Sequence, residues 1–108
     1  MKLALCEALG ALEPRTALGL AAVSSVAEET LFRGALQPEL GLATASLLFG
    51  CIHFPFDRRL LAWTAFAIGM GFCLGAIYDF TGGLMAPIGV HFLVNAVNLM
   101  WLSDGTSR

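Results

Sequence analysis

Four side chains in this sequence have the chemistry of a hydrolytic site and stand inside otherwise apolar stretches. They are Glu28, His53, His91 and Asn95. Ionisable groups within hydrocarbon are costly, so they usually face an interior cavity and mark a functional site. A carboxylate with an imidazole suits general base catalysis on water, and a carboxamide suits stabilisation of an oxyanion. We expect these groups, which lie on three different segments, to converge on one pocket.

Two adjacent carboxylates on the first segment are predicted to have different surroundings. Glu29 and Arg33 are four residues apart, share a helix face and are expected to pair. Glu28 points about 100° away, so its carboxylate stays available as a general base for water. The alternative interpretation is a pair of glutamates at a helix end near the membrane interface.

The histidines and asparagines also have structural interpretations. A lone histidine on an apolar helix, such as His53, is usually a hydrogen-bonded core residue. His91 and Asn95 are one turn apart and Asn98 continues the same stripe, a pattern that also serves helix packing. The catalytic hypothesis therefore depends on the combination of these groups rather than on any one of them.

The composition indicates a membrane protein of one domain. Among 108 residues, 57% are hydrophobic and 13% are charged, whereas soluble domains average about 25% charged. The net charge of −2 excludes nucleic-acid binding, because no basic patch exists to neutralise phosphates. The three cysteines (Cys6, Cys51 and Cys73) predict neither a disulfide framework nor a thiolate zinc site, and the last two are expected to be small buried apolar residues.

Apolar runs and their breaks predict an all-α, polytopic transmembrane bundle of about four membrane segments. Two 19-residue runs, 60–78 and 84–102, have the length of a bilayer span. The first has no charged residue, and the second has His91 as its only ionisable side chain. A shorter run covers 41–56. The first segment is predicted to start near Pro14 and to end at Leu36 because Pro38 stops it.

The charges of the first segment require polar partners on the other segments. Three charged residues at mid-membrane would cost roughly 8–10 kcal/mol on an insertion scale. Short breaks predict that consecutive segments are antiparallel neighbours. Gly71 and Gly75 are four residues apart and predict a close helix approach.

Three short patterns follow one another in these segments. They are Glu-Glu-x-x-x-Arg at Glu28 to Arg33, Phe-x-x-x-His at Phe49 to His53, and His-x-x-x-Asn at His91 to Asn95. In this order and spacing they resemble the CPBP family, the CAAX proteases and bacteriocin-processing enzymes that are also called the abortive-infection family. The resemblance covers about residues 15–102.

The resemblance implies a polytopic intramembrane endopeptidase whose single membrane-embedded catalytic core occupies residues 1–108. It assigns activation of water to Glu28 with His53, and oxyanion stabilisation to His91 with Asn95. Glu29, Arg33 and Phe49 would be supporting residues. Substrates would be membrane-associated peptides or proteins, processed in the CAAX or the bacteriocin manner, and the partners would include membrane lipid. The location implied is the bacterial plasma membrane.

The family is often described as metal-dependent. Glu28, His53 and His91 would form a reasonable set of ligands for a divalent metal such as zinc, with one position open. The same residues also support a metal-free mechanism in which Glu28 is the base and Asn95 the oxyanion donor. Both alternatives stay open at the level of sequence.

A second function is compatible with the same residues. Intramembrane glutamate and histidine also serve as proton relays, so the chain would instead be a bacteriocin-immunity protein or a proton- or metal-handling bundle. A third alternative is a degenerate, inactive fragment. Asn95 discriminates between the first two functions, because an oxyanion donor requires its carboxamide and a relay does not.

Overall fold

The computed structural model describes residues 13–53 and 56–106, with the side chains of all except 103–106. The helices are α1 (Pro14–Glu29), α2 (Gln37–Leu40), α3 (Leu42–Ile52), α4 (Leu61–Thr81) and α5 (Met85–Thr106). A π-helical segment, Thr30–Leu36, joins α1 to α2, and a 3₁₀ turn, Arg58–Leu60, precedes α4. No strand occurs within the described residues, so the predicted all-α class is confirmed.

The predicted start of the first helix is confirmed and its predicted end is wrong. Pro14 occupies the first turn, where its missing N–H removes no hydrogen bond. The helix does not stop before Pro38 but continues to Leu40. The turns before Pro38 are π-helical, and Gln37 N–H reaches back to Phe32 O. This wider turn gives the proline ring space that an α turn denies it.

Glycine and aspartate define the breaks between the later helices. Gly41, at φ 87°, ends α2 and precedes α3 directly, and this left-handed conformation favours glycine. Asp57 caps the 3₁₀ turn by accepting a hydrogen bond from Arg59 N–H at 2.9 Å. Pro55, in the predicted break after α3, lies outside the described residues. Gly82, at φ 72°, ends α4.

Among the residues that the structure describes, two helices are long and apolar enough to cross a membrane, namely the stretches Arg58–Thr81 and Met85–Leu102. The apolar helix α3 has only 11 residues. Because α1, the π-helical segment and α2 follow one another without a break, the described residues form four principal helical segments, as predicted. That all four cross the membrane stays a prediction.

Small residues allow the helices to pack closely around the site. The most extensive packing joins α1 to α5 and α3 to α4. A Cβ atom at Gly71 on α4 would lie 3.0 Å from Ser46 O on α3, which confirms the predicted close approach. A core cluster of Phe32, Phe49, Ala67 and Leu74 fills the space between these helices.

Candidate active site

Glu28, near the C-terminal end of α1, lies between two imidazole rings from different helices. Its Oε2 is 3.5 Å from His53 Nε2 and 3.3 Å from His91 Nε2. This oxygen is buried and has no hydrogen-bond partner within the described residues. About a quarter of the side chain (26%) remains exposed. The carboxylate therefore contacts both histidines while retaining access to solvent or a ligand.

His53 is held by the end of its own helix. The residue follows the last turn of α3, and its Nδ1 lies 2.6 Å from Phe49 O. A carbonyl oxygen accepts only, so Nδ1 carries the proton and donates it. This hydrogen bond turns Nε2 towards Glu28. The ring is half-buried, with 20% of the side chain exposed, so it also reaches the cavity described below.

His91 is fixed by the second carboxylate of the pair. Its Nδ1 lies 2.7 Å from Glu29 Oε2, and the ring is almost fully buried. Glu29 Oε2 also accepts a hydrogen bond from Arg33 Nη1 at 3.4 Å, and neither of these two side chains is exposed. The predicted pairing of Glu29 with Arg33 is confirmed. Glu29 thus connects the guanidinium of Arg33 to Nδ1 of His91, and the other ring nitrogen of His91 faces Glu28.

Hydrogen bonds across the helix interface anchor this charged row to α4. Arg33 Nη2 donates to Gly71 O. One turn further along, Gln37 Nε2 donates to Gly75 O at 3.0 Å and to Asp79 Oδ1 at 2.9 Å. Glycine at these positions of α4 leaves the backbone carbonyls open to long polar side chains. Sequence reasoning identified the two glycines but missed Gln37 and Asp79. The available signal was their spacing, since Gln37 is four residues after Arg33 and Asp79 is four residues after Gly75.

Phe49 supports the site through its ring as well as its carbonyl. The ring centroid is 4.5 Å from that of His53 and 5.6 Å from that of His91. The guanidinium carbon of Arg33 lies 4.8 Å from the same centroid, within the range of a cation–π contact. Phe49 therefore packs against both imidazoles and the buried cation together.

Asn95 lies one turn from His91 on α5 and is oriented by α1. Its Nδ2 donates to Ser24 Oγ at 3.0 Å. A carboxamide nitrogen has two N–H donors, so this bond uses one and leaves the other for a ligand. Ser24 stands one turn before Glu28, and sequence reasoning had given it no function.

These groups border a cavity of about 160 Å³. Its lining includes Ser24, Glu28, His53, Asn95 and Asn98, together with apolar Trp63, Leu99 and Leu102. A smaller adjoining cavity of about 30 Å³ touches His53, His91 and Asn95, which is room for one or two water molecules. The arrangement thus offers a base, a proton carrier, an amide donor and space for water.

The protonation pattern of the cluster follows from its partners. Both histidines donate from Nδ1, so the Nε2 atoms of neutral rings would present lone pairs to Glu28. With neutral rings, Glu28, Glu29 and Arg33 sum to a charge of −1. A bound cation between Glu28 Oε2 and the two Nε2 atoms would remove both the lone-pair repulsion and the excess charge.

A metal centre at Glu28, His53 and His91 was one of the predictions. Within residues 13–53 and 56–106, no group of three or more His, Cys, Asp or Glu side chains is arranged to hold a metal ion. The oxygen and nitrogen donors are of types that bind zinc. Metal dependence stays a prediction.

The structure brings all four predicted catalytic side chains to one region and places the three supporting residues behind them. Their catalytic roles stay predictions. The expectation that Cys51 and Cys73 would be buried is wrong, since both are free and exposed on the helix surfaces. Cys6 lies outside the described residues.

Comparison with known proteins agrees with the three motifs. A family model described as "Type II CAAX prenyl endopeptidase Rce1-like" matches residues 11–97. The "Uncharacterized protein YpbD" of Bacillus subtilis (strain 168) is 47% identical over 73 residues, which are 66% of this chain and 37% of that protein. The match thus spans little more than a third of the relative's length. No solved structure is significantly similar. Because the family match covers most of the sequence, the chain belongs to the type II CAAX prenyl endopeptidase Rce1-like family of intramembrane proteases.

Proposed function

We propose that this chain provides the catalytic core of an intramembrane endopeptidase that hydrolyses a peptide bond of a membrane-associated substrate. The observation that supports this most strongly is the environment of Glu28. Its Oε2 has no hydrogen-bond partner among the described residues, faces two imidazole nitrogens, and belongs to a side chain on the cavity wall.

In the proposed reaction, a water molecule in the cavity attacks the substrate's peptide carbonyl carbon. Glu28 accepts one proton from this water, which lets the remaining hydroxyl form the new carbon–oxygen bond. His53, whose Nε2 faces Glu28, carries the proton to the leaving nitrogen. The carbon–nitrogen bond then breaks, leaving a carboxylic acid on one product and an amine on the other.

Asn95 is proposed as the donor to the oxyanion that develops during attack. Its second N–H has no partner in residues 13–53 and 56–106, and the bond to Ser24 fixes the direction of the amide. A preoriented donor of this kind stabilises negative charge more effectively than mobile water does. His91 is nearly buried behind Glu28, so we assign it a positioning role, held by Glu29, rather than contact with the substrate.

The substrate class and location follow from the family. CAAX-type processing of a prenylated protein is the favoured reaction, and bacteriocin-type processing is the alternative. The two long apolar helices support an integral membrane location, which we propose is the bacterial plasma membrane.

Substitution of Glu28 tests the proposal directly. The full chain in proteoliposomes is given a quenched fluorogenic peptide that ends in a farnesylated CAAX sequence. Glu28→Gln and His53→Ala are each expected to lower kcat/KM by about 10²–10⁴-fold, the usual contribution of general acid–base catalysis. Glu39→Gln, the same chemical change at an exposed residue, serves as control. Retained cleavage in both site variants would end the proposal.

Metal dependence is tested separately from the peptidase activity. Purified protein is analysed for bound zinc and assayed after dialysis against a chelator. Metal dependence predicts loss of cleavage that added zinc restores, together with loss of bound zinc from Glu28→Gln. Unchanged cleavage after dialysis would instead establish the metal-free alternative, in which Glu28 acts as the base without a metal.

One observation favours a proton- or cation-handling bundle as the second candidate. The cluster of two carboxylates and one guanidinium is one positive charge short when both imidazoles are neutral, and such a cluster would take up a proton or a cation. Asn95→Ala distinguishes the two candidates. It should reduce peptidase activity about 10²-fold, whereas a relay through Glu28 and His91 should be unaffected.

A further inference from the structure

Asn98 lies where three cavities meet. It is on α5, one turn beyond Asn95, and it lines both the 160 Å³ cavity and the 30 Å³ cavity. It also lines a shallow groove of about 270 Å³ on the outer surface of α5, with Leu93, Val94 and Val97. The residue therefore stands between the proposed active site and the outside of the helix bundle.

The carboxamide of Asn98 has no hydrogen bond to any residue in the part of the chain that the structure describes. The side chain is half-buried, and its polar atoms are not among the buried atoms that lack a partner, so they remain accessible from the cavities that they line. Asn95 differs, since it is bonded to Ser24. The donors and the acceptor of the Asn98 carboxamide are therefore available to a molecule that occupies the cavity.

An extended peptide supplies the complementary groups. Each of its residues offers one N–H and one C=O, and a carboxamide carries donors and an acceptor that match both. Asn95 and Asn98 are about 4.5 Å apart along the helix axis. An extended chain advances about 3.3 Å per residue, so this separation corresponds to one or two substrate residues.

We propose that Asn98 binds the substrate's backbone one or two residues from the scissile bond and thereby positions the peptide in the cavity. This inference rests on the proposed peptidase function and adds a residue that determines substrate binding. Sequence-independent backbone contacts suit an enzyme that must hold an extended segment without reading its side chains.

The test measures binding in a variant that does not cleave. Glu28→Gln protein in nanodiscs is titrated with a fluorescein-labelled farnesylated CAAX peptide, and Kd is obtained from anisotropy. The double variant with Asn98→Leu is expected to bind five- to tenfold more weakly, which is the effect of about one hydrogen bond. Met100→Leu, at an exposed position of the same helix that lines none of these cavities, is the control and should leave Kd unchanged.

A second set of probes separates a substrate contact from a structural effect. In each probe, one backbone N–H near the scissile bond is replaced by an ester oxygen. The ester that replaces the N–H contacted by Asn98 is expected to raise Kd for Glu28→Gln protein five- to tenfold. In protein that also carries Asn98→Leu, the same ester should raise Kd less than twofold. Because Asn98 makes no bond to the described residues, Asn98→Leu should not lower Tm, whereas Asn95→Leu should. Asn98→Ala provides the same comparison if the leucine variant does not accumulate.

The outcomes are distinguishable from failure of the proposed function. Equal Kd values for Glu28→Gln with and without Asn98→Leu would overturn this inference and leave the peptidase proposal intact. Equal sensitivity to every ester in both backgrounds would also overturn it, and would indicate that Asn98 meets only water or lipid. Absence of cleavage by the wild type, with the Asn98 effect on Kd present, would contradict the peptidase proposal alone.

Discussion

Two rows of polar side chains on the first helical segment have opposite surroundings, although their carboxylates are adjacent in sequence. The paired row consists of Glu29, Arg33 and Gln37. These three are buried, and each contacts a partner on α4 or α5. The cavity row consists of Ser24 and Glu28, which border the 160 Å³ cavity. Glu28 keeps 26% of its surface exposed, against 0% for Glu29.

The difference indicates that one helical segment carries a row of side chains that stabilises the fold and a second row that is available for chemistry. The paired row bonds to an imidazole on α5 and to backbone carbonyls on α4, so it joins three helical segments. Glu29, Arg33 and Gln37 each also have one buried polar atom without a hydrogen-bond partner among the described residues, as Glu28 has at Oε2. The two rows therefore differ in exposure and in contact with the cavity, not in the completeness of their hydrogen bonds. We therefore expect substitutions in the paired row to affect folding and substitutions in the cavity row to affect turnover.

The largest effect on stability is expected from removal of the buried cation. Arg33→Met leaves Glu29 buried without its guanidinium and should lower the free energy of unfolding by about 3–5 kcal/mol. Glu28→Gln should change it by less than about 1 kcal/mol. Thermal unfolding in detergent, followed by circular dichroism, measures both. The double variant Glu29→Gln with Arg33→Met should recover part of the loss, and equal losses for Arg33→Met and Glu28→Gln would remove the distinction between the rows.

The approach of α4 to the paired row is tested at the glycines. A Cβ atom at Gly71 would lie 3.0 Å from Ser46 O and 3.4 Å from Ser46 Cα, and these backbone atoms cannot turn aside as the end of a side chain can. Gly71→Ala should therefore lower the free energy of unfolding by about 1–3 kcal/mol, the usual cost of overpacking. Gly69→Ala on the same helix meets no atom within 4 Å and should not destabilise the fold. Equal behaviour of the two variants in the same unfolding assay would argue against tight packing at Gly71.

A smaller effect is expected at the end of the paired row. Gln37→Leu loses the hydrogen bonds to Gly75 O and Asp79 Oδ1 and should lower the free energy of unfolding by about 1–2 kcal/mol. Activity at a temperature well below Tm should remain, because Gln37 lies away from the cavity. If kcat falls more than tenfold in a folded Gln37→Leu protein, the paired row also governs catalysis.

The smallest effect is expected from an exposed pair outside both rows. Hydrogen bonds from Arg59 lower the pKa of Asp57 from its ordinary 3.8. The folded state thus favours the carboxylate, so the stabilisation is complete above the ordinary pKa and is lost as pH falls through the lowered value. Asp57→Asn should lower Tm slightly at pH 7, and the difference from the wild type should shrink as pH falls below the ordinary value of 3.8 and vanish once the carboxyl is protonated in both states. A shift that persists at the lowest pH would point to the capping bond to Arg59 N–H instead.

Local spacing was sufficient to predict much of this organisation. Residues four apart share a helix face, so the pairing of Glu29 with Arg33 and the approach at Gly71 and Gly75 could be read directly. The few polar groups in apolar runs had to meet because none is stable alone in lipid, which predicted the convergence of Glu28, His53, His91 and Asn95.

Other features depend on contacts that spacing along one segment does not encode. Whether Gln37 bonds to Gly75 and Asp79 depends on the register between two helices. Asn95 meets Ser24 for the same reason. The exposure of Cys51 and Cys73 reflects the outer faces of a small bundle, which a single apolar run does not distinguish from its inner face.

The π-helical segment Thr30–Leu36 makes the number of residues in this stretch as important as their identity. A π-type hydrogen bond spans five residues instead of four, so the wider turn takes up one extra residue while the helix on either side keeps its direction. Deleting one residue there would close the turn to α-helical bonding and bring the Pro38 ring against the carbonyl of the preceding turn. Inserting a residue into α-helical turns would instead rotate everything downstream by about 100°. Insertions and deletions between Glu29 and Gln37 should therefore be less tolerated than changes of side chain, which is a useful constraint when related sequences are aligned or chimaeras are designed.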